Sequence, residues 1–248
     1  MSWQIINKVA QLEHPSWSGI FDLNKPDQGF ILVPTVSGIL QSPDYDDAGI
    51  RLFKVALPNV DSSVRLGDFY SRGEDITIQY PADDYRNFNI QLDLRVIRQT
   101  DDVLVVEFWL SIQTHLLDSR PSVKINFELP AMPTKTIFSD EEMTQSESDT
   151  ELTEDKQVPA GLIAETTIGG PYVSSSLFIH PLDQRDICWM HSQEGDSDVE
   201  IEWFGQFMEK GVIRRGRMQV VLSQKPMTME YFRALYKDFA GSPLPLTV

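Results

Sequence analysis

Between Phe88 and Leu129 apolar side chains recur at every second position, and no other feature of this 248-residue chain constrains its fold as strongly. Phe88, Ile90, Leu92, Leu94 and Val96 alternate with Asn89, Gln91, Asp93 and Arg95. A period of two places all of the first set on one side of an extended backbone. After the polar turn Gln99-Thr100-Asp101-Asp102, Leu104, Val106, Phe108, Leu110 and Ile112 share a face. Beyond the breaker at Asp118 to Pro121, Val123, Ile125, Phe127 and Leu129 repeat the pattern. Short polar connections between one-sided strands predict an antiparallel meander with one buried face.

Shorter runs of the same kind are Gly19 to Leu23, Phe30 to Val33, Ile50 to Leu57 and Ile76 to Tyr80. Others are Leu162 to Thr167, Ser174 to His180, Ile187 to His191, Val199 to Phe207 and Val212 to Leu222. Many strands without helical patterns between them predict a sandwich or barrel rather than βαβ units. No fixed repeat period points to a propeller. The one helical pattern is C-terminal. Met229, Phe232, Leu235, Tyr236 and Phe239 form a single apolar stripe, with Thr228 placed as N-cap, Glu230 in the first turn, Gly241 at the C′ position, and Pro243 and Pro245 beyond. The expected fold is a large antiparallel β-sandwich, supersandwich-like, with one C-terminal α-helix.

A hydrophobic content of 41% suits a globular protein, and the length allows one large domain or two small ones. The charge is less ordinary: the formal net value is -16. Eight acidic residues between Asp140 and Gln157 face one lysine, Lys156, with almost nothing apolar among them. Such a segment cannot repay the entropy of ordering, so it is expected to be a mobile loop at about 139–157 within a single domain spanning 1–248, with a linker between two domains as the alternative. A surface of this sign repels phosphate backbones and anionic lipid, which argues against nucleic acid and membranes as partners. Cys188, alone, can form no intrachain disulfide; the N-terminal residues lack an apolar signal run; no stretch is long and apolar enough to span a bilayer. These features point to the cytoplasm.

Catalytic and cofactor motifs fail on spacing. Asp44-Tyr45-Asp46-Asp47-Ala48-Gly49 opens like a calcium loop but has Ala48 at the fifth position and Val55 at the twelfth, where oxygen ligands are required, so it reads as an acidic turn. There is no Gly-x-Ser-x-Gly elbow, Cys188 reads as a small core residue, and Gly169-Gly170-Pro171 lacks the lysine and helix of a phosphate loop. No metal and no cofactor is expected. His180 and His191 flank a predicted hairpin; pairing His180 with Ile187 sets Phe178 opposite Trp189 and Ser176 opposite His191. The imidazoles would then lie roughly 13 Å apart at ~3.4 Å per residue, too far to share a metal.

That register instead suggests an aromatic platform, Phe178 beside Trp189 flanked by the histidines, on which a sugar ring or peptide group could stack; core packing is the competing reading. Arg215 and Arg217 share one face of their strand, with Arg214 on the other, and could clamp a carboxylate or phosphate, or pair with Glu200 and Glu202. The residues expected to bind ligand are therefore Phe178, His180, Trp189, His191, Arg215 and Arg217. The leading expectation is a binding module for carbohydrate or a related small molecule. Alternatives are a carbohydrate-active enzyme of mutarotase or glycosidase type, with a histidine or carboxylate pair as acid and base, and a scaffold recruiting a basic partner through its acidic loop.

Overall fold

The structure, a computed structural model, describes residues 3–35, 49–57, 64–84, 86–128, 135–137, 161–167, 172–183, 187–191 and 198–242; for 98, 99, 135–137, 166, 167, 187–191 and 198 it describes the backbone alone. The acidic stretch 139–157, Asp44 to Asp47 and Gly169-Gly170-Pro171 lie outside the described residues.

Strands dominate, arranged in three antiparallel sheets. The first contains β1 (Gln4–Ile6), β2 (Val9–His14), β3 (Trp17–Asp22), β4 (Phe30–Pro34) and β5 (Ile50–Leu52) in sequence order. Ile6 and Val9 pair across a two-residue turn in which Asn7 and Lys8 both have positive φ, 51° and 65°, the handedness that matches the twist of a tight hairpin. The chain then changes sheet. β6 (Lys54–Ala56) follows β5 after the single residue Phe53, whose φ of 53° lies in the left-handed region that a bulky side chain rarely enters. Packing holds it there: the fully buried Phe53 ring stacks on Phe108 at 4.5 Å between centroids and meets Phe127 edge-on at 5.2 Å. The expected continuous strand over Ile50 to Leu57 is therefore two strands in two sheets, broken at an aromatic corner.

The largest sheet has eight strands. β7 (Phe69–Arg72), β8 (Asp75–Tyr80), β9 (Phe88–Gln99) and β10 (Val103–Thr114) follow one another from one edge, and β17 (Ile213–Ser223), β14 (Tyr172–Ile179), β13 (Gly161–Thr167) and β12 (Lys135–Ile137) complete it. β11 (Ser122–Glu128) leaves this sheet and pairs with β6 and β16 (Asp198–Phe204), with β15 (Ile187–His191) on the far side of β16. The predicted three-strand meander is thus a β9–β10 hairpin, whose free edge is taken by β17 rather than β11. Alternation was right for all three strands; it identifies the buried face but not the neighbour.

One contiguous hydrophobic cluster joins the three sheets. The eight-stranded sheet contributes Ile76, Ile78, Leu92, Leu94, Phe108, Leu110, Met218 and Val220 from its inner face, meeting Phe21, Phe30 and Leu52 from the first sheet and Ile125, Phe127, Ile201 and Trp203 from the third. Gly216 of β17 lets Trp203 lie against the backbone, because a Cβ there would stand 3.0 Å from the indole ring. The arrangement is a β-sandwich with one helix.

That helix, α1 (Met229–Ala240), covers part of the outer face of the eight-stranded sheet. Thr228 caps it, its side chain accepting from the Tyr231 N–H at 3.2 Å. The predicted stripe is the buried one: Phe232, Leu235, Tyr236 and Phe239 pack on Val105, Ile163, Phe178 and Val221. The helix end differs from expectation. Gly241 has a φ of −83° and stays right-handed, and the Ser242 hydroxyl, donating to the Phe239 carbonyl at 2.6 Å, satisfies the last turn instead. Among the described residues, no helix is long and apolar enough to cross a membrane.

Candidate functional site

On β8, β9, β10 and β17 the residues out of phase with the core project from the outer face, part of which lies beneath the helix. Pairing register sets them in rows. Asp75, Arg95, Glu107 and Gln219 lie side by side, then Thr77, Asp93, Trp109 and Arg217, then Gln79, Gln91, Ser111 and Arg215, and last Asn89, Gln113 and Ile213. The final two rows line an open groove of about 260 Å³, walled at one end by Tyr80 and Pro81.

Trp109 anchors this face. The Arg95 guanidinium lies 4.7 Å from its ring centroid and that of Arg215 lies 5.2 Å away, leaving the indole 6% exposed. Each acid on the face already has partners. Asp75 accepts from Arg95 Nε at 3.2 Å; Asp93 accepts from the Thr77 hydroxyl at 2.6 Å and from Gln91 Nε2 at 3.0 Å. Glu107 is buried, 3.8 Å from Arg95 Nη1, and burial raises its pKa against the opposing pull of the Trp109 indole, Arg95 and Arg217. Within the groove, Gln79 Nε2 donates to Gln91 Oε1 at 3.5 Å, Asn89 Oδ1 accepts from the Ala82 N–H at 2.7 Å, and Arg215 Nε donates to the Ser111 hydroxyl at 2.8 Å. Ile213 forms a rim, 54% exposed. These side chains stand on paired strands, so their positions are set by the ladder rather than by a loop.

The residues singled out from sequence are dispersed. Phe178 does not face Trp189: β14 pairs with β13 and β17, Phe178 lies opposite Gly161 and Gln219, and its fully buried ring packs edge-on against Phe232 and Tyr236 of the helix. Trp189 and His191 lie on β15, in another sheet, opposite Ile201 and Val199, and only their backbone is described. The platform expected from a 178–189 register is not formed. The hairpin inference failed because the chain after His180 crosses to the other sheet instead of turning back.

His180 is buried at the end of β14 beneath the helix, with its ring edge-on to Phe239 at 5.4 Å. Its Nδ1 accepts from the Leu182 N–H at 3.3 Å, so the proton sits on Nε2, which donates to the Ala240 carbonyl at 3.2 Å. Burial, with the neighbouring Arg217 charge, lowers its pKa to about 4, against the raising effect of the Ala240 bond. Arg217 is 1% exposed and pairs with Asp183, Nε to Oδ2 3.7 Å, while its backbone N–H donates to the same carboxylate at 2.9 Å. The predicted pairing of Arg215 and Arg217 with Glu200 and Glu202 does not occur, since β16 and β17 belong to different sheets; Glu200 binds Lys124 at 2.8 Å. Of the predicted residues whose side chains are described, Arg215 alone lines the groove.

Sequence reasoning passed over Gln79, Asn89, Gln91, Trp109, Ser111 and Gln113. A signal existed. Consecutive strands both presented polar residues on the face opposite the core, with a tryptophan standing among them rather than in phase with Phe108 and Leu110. Among the described residues no group of three histidines, cysteines or acids is placed to hold a metal ion.

No protein-family model matches the chain, and no curated protein matches it. Among solved structures, one described as "Putative kojibiose phosphorylase from human microbiome" superposes with a TM-score of 0.43 at 8% identity, over 96% of this chain and 36% of that one. A heparinase III gene product with methylated lysines gives 0.37 at 10% identity, over 90% of this chain and 35% of that one, and a second heparinase III structure gives 0.37 at 9%. The chain thus spans about a third of the length of these structures. Likeness at this level bears on neither site nor activity.

Proposed function

We propose that the chain is a β-sandwich binding module that holds carbohydrate in the groove on the outer face of its eight-stranded sheet. The lining of that groove carries the reading. Gln79, Asn89, Gln91, Ser111 and Gln113 are uncharged amides and a hydroxyl, groups that both donate and accept, as a ring of sugar hydroxyls requires. Exposed Ile213 adds an apolar edge for the C–H face of a sugar. The volume, about 260 Å³, lies near the lower end of the ~300–1,000 Å³ usual for small-ligand pockets, a size for a single ring with its neighbours running out along the open ends.

The test is a glycan panel titrated calorimetrically against the wild-type protein and against Gln113→Trp, which fills the groove from a half-exposed position. Binding to at least one oligosaccharide, weakened about tenfold or more in the variant with unchanged thermal stability, is the expected result; this corresponds to about 1.4 kcal/mol. Absence of any binding, or equal binding by the filled variant, overturns the proposal.

A further inference from the structure

Among the described residues Arg215 is the one permanent charge in the groove lining, and its surroundings say what it is for. Its guanidinium is held on two sides: Nε donates to Ser111 Oγ at 2.8 Å, and the plane lies 5.2 Å from the centroid of Trp109. Ser111 and Trp109 are alternate residues of β10, opposite Arg215 and Arg217 of β17, so the ladder itself fixes the fork. Nε is spent, which leaves the two Nη groups as a pair of parallel donors.

Four arginines of the described structure have carboxylates: Arg51 has Glu128 at 3.4 Å, Arg86 has Asp83 at 3.5 Å, Arg95 has Asp75 at 3.2 Å and Arg217 has Asp183 at 3.7 Å. Among the described residues no carboxylate oxygen lies within 4.0 Å of Arg215, although the protein carries 37 acids against 21 basic residues. The acids on its own face are engaged elsewhere, Asp93 by Thr77 and Gln91, Asp75 by Arg95. A rigid guanidinium kept apart from abundant carboxylates, at the wall of a groove, presents the geometry that a planar anion takes up bidentately.

We infer that the groove selects acidic sugars, with the carboxylate of a uronic acid residue docking on the Nη pair of Arg215 while the amides of Gln79, Gln91 and Gln113 address its hydroxyls. This rests on the carbohydrate reading and narrows it. The surrounding negative field works against an anionic ligand at a distance but is screened beyond ~10 Å at 0.1 M salt, whereas the short contact to Arg215 is not. Preference therefore rises, relative to long-range repulsion, as salt is raised from low ionic strength.

The experiment compares a uronic acid tetrasaccharide, a neutral glucose tetrasaccharide and free acetate, at 0.1 M salt, on the whole chain and on its Arg215→Gln and Arg215→Lys variants. The uronic acid oligomer is expected to bind about tenfold or more tighter than the neutral one, as suits a hydrogen-bonded charge. Arg215→Gln is expected to erase that ratio, and Arg215→Lys, which keeps the charge but loses the fork, to erase most of it. Acetate is expected to bind more weakly than the uronic acid oligomer by at least tenfold, since it engages the fork alone. Equal binding of the acidic and neutral oligomers, an undiminished ratio in Arg215→Gln, or acetate binding as well as the oligomer overturns the inference while leaving any neutral-sugar binding to support the broader reading. No binding of either oligosaccharide overturns both.

Discussion

Replacing His180 by glutamine tests the buried imidazole, and the structure gives the sign and size of the effect. Folded, the ring is neutral, with Nδ1 accepting from Leu182 N–H and Nε2 donating to Ala240 O, so a second proton would have to enter at Nδ1 against an amide donor. The groups around it are Arg217 from β17, itself paired with Asp183, and Phe239 and Ala240 from the helix. The pKa lies at about 4 in the folded chain against 6.5 for an unperturbed histidine. A depressed value means that the unfolded chain binds the extra proton first. Stability is then complete above pH 6.5 and falls with acidification until the folded pKa is reached. At about pH 4.5 the loss is about 2.5 kcal/mol, from about 1.4 kcal/mol per pH unit over the window between the two values. Glu107 acts in the opposite direction. Its raised pKa favours the protonated folded form, adding stability that is present in acid and lost as the pH rises. Wild type alone would therefore mix the two contributions.

The comparison with His180→Gln removes the Glu107 contribution, because that residue is common to both proteins. At about pH 7.5 the variant should be less stable by about 1–2 kcal/mol, having lost the Nδ1 acceptor and the edge-on contact with Phe239. On moving to about pH 4.5 the wild type should lose about 2.5 kcal/mol more than the variant, so the gap closes or reverses. Urea denaturation followed by tryptophan fluorescence at both pH values measures it. A gap that is the same at the two pH values would refute the neutral, doubly hydrogen-bonded imidazole.

Two further expectations concern the fold. Phe53→Ala removes a fully buried ring stacked on Phe108 at the point where the chain changes sheet, and should cost about 3–5 kcal/mol in urea denaturation; a loss below about 1 kcal/mol would mean that the corner does not depend on that packing. Gly161→Ala places a Cβ 2.6 Å from the Phe178 ring, which Phe232 and Tyr236 hold from the other side, so an overpacking penalty of about 1–3 kcal/mol is expected; unchanged stability would show that the helix yields.

Much of the local structure could be read without coordinates. The alternation over Phe88 to Val96 and Val123 to Phe127 is the alternation of buried side chains; over Leu104 to Ile112 the alternating set faces the core between the sheets, though the residues between are buried too; and the stripe Phe232, Leu235, Tyr236, Phe239 is the buried face of the helix. Four strands, β1, β2, β7 and β12, escaped notice; β1, β7 and β12 have only three or four residues, too few to display a period, and the six residues of β2 show no clean one. The groove was half visible: Asn89, Gln91, Ser111 and Gln113 stand in plain alternation with the core residues of β9 and β10, but which strand lies beside them is not written in that alternation.

What the residues alone determined about this protein is which side of each strand is buried and where the terminal helix begins, since both follow from side-chain spacing within a few residues. What only the tertiary structure decided is partnership. The strand ladder is made by backbone groups that are alike at every position, so nothing local told β11 to leave β10, β17 to take its place, or β14 to pair with β13 instead of β15. Those pairings in turn fixed the chemistry. They buried His180 and Phe178 beneath the helix, set Arg217 beside Asp183, and left Arg215 facing an open groove, because a side chain's electrostatic partners come from neighbouring strands that may be a hundred residues away, as Ser111 is from Arg215.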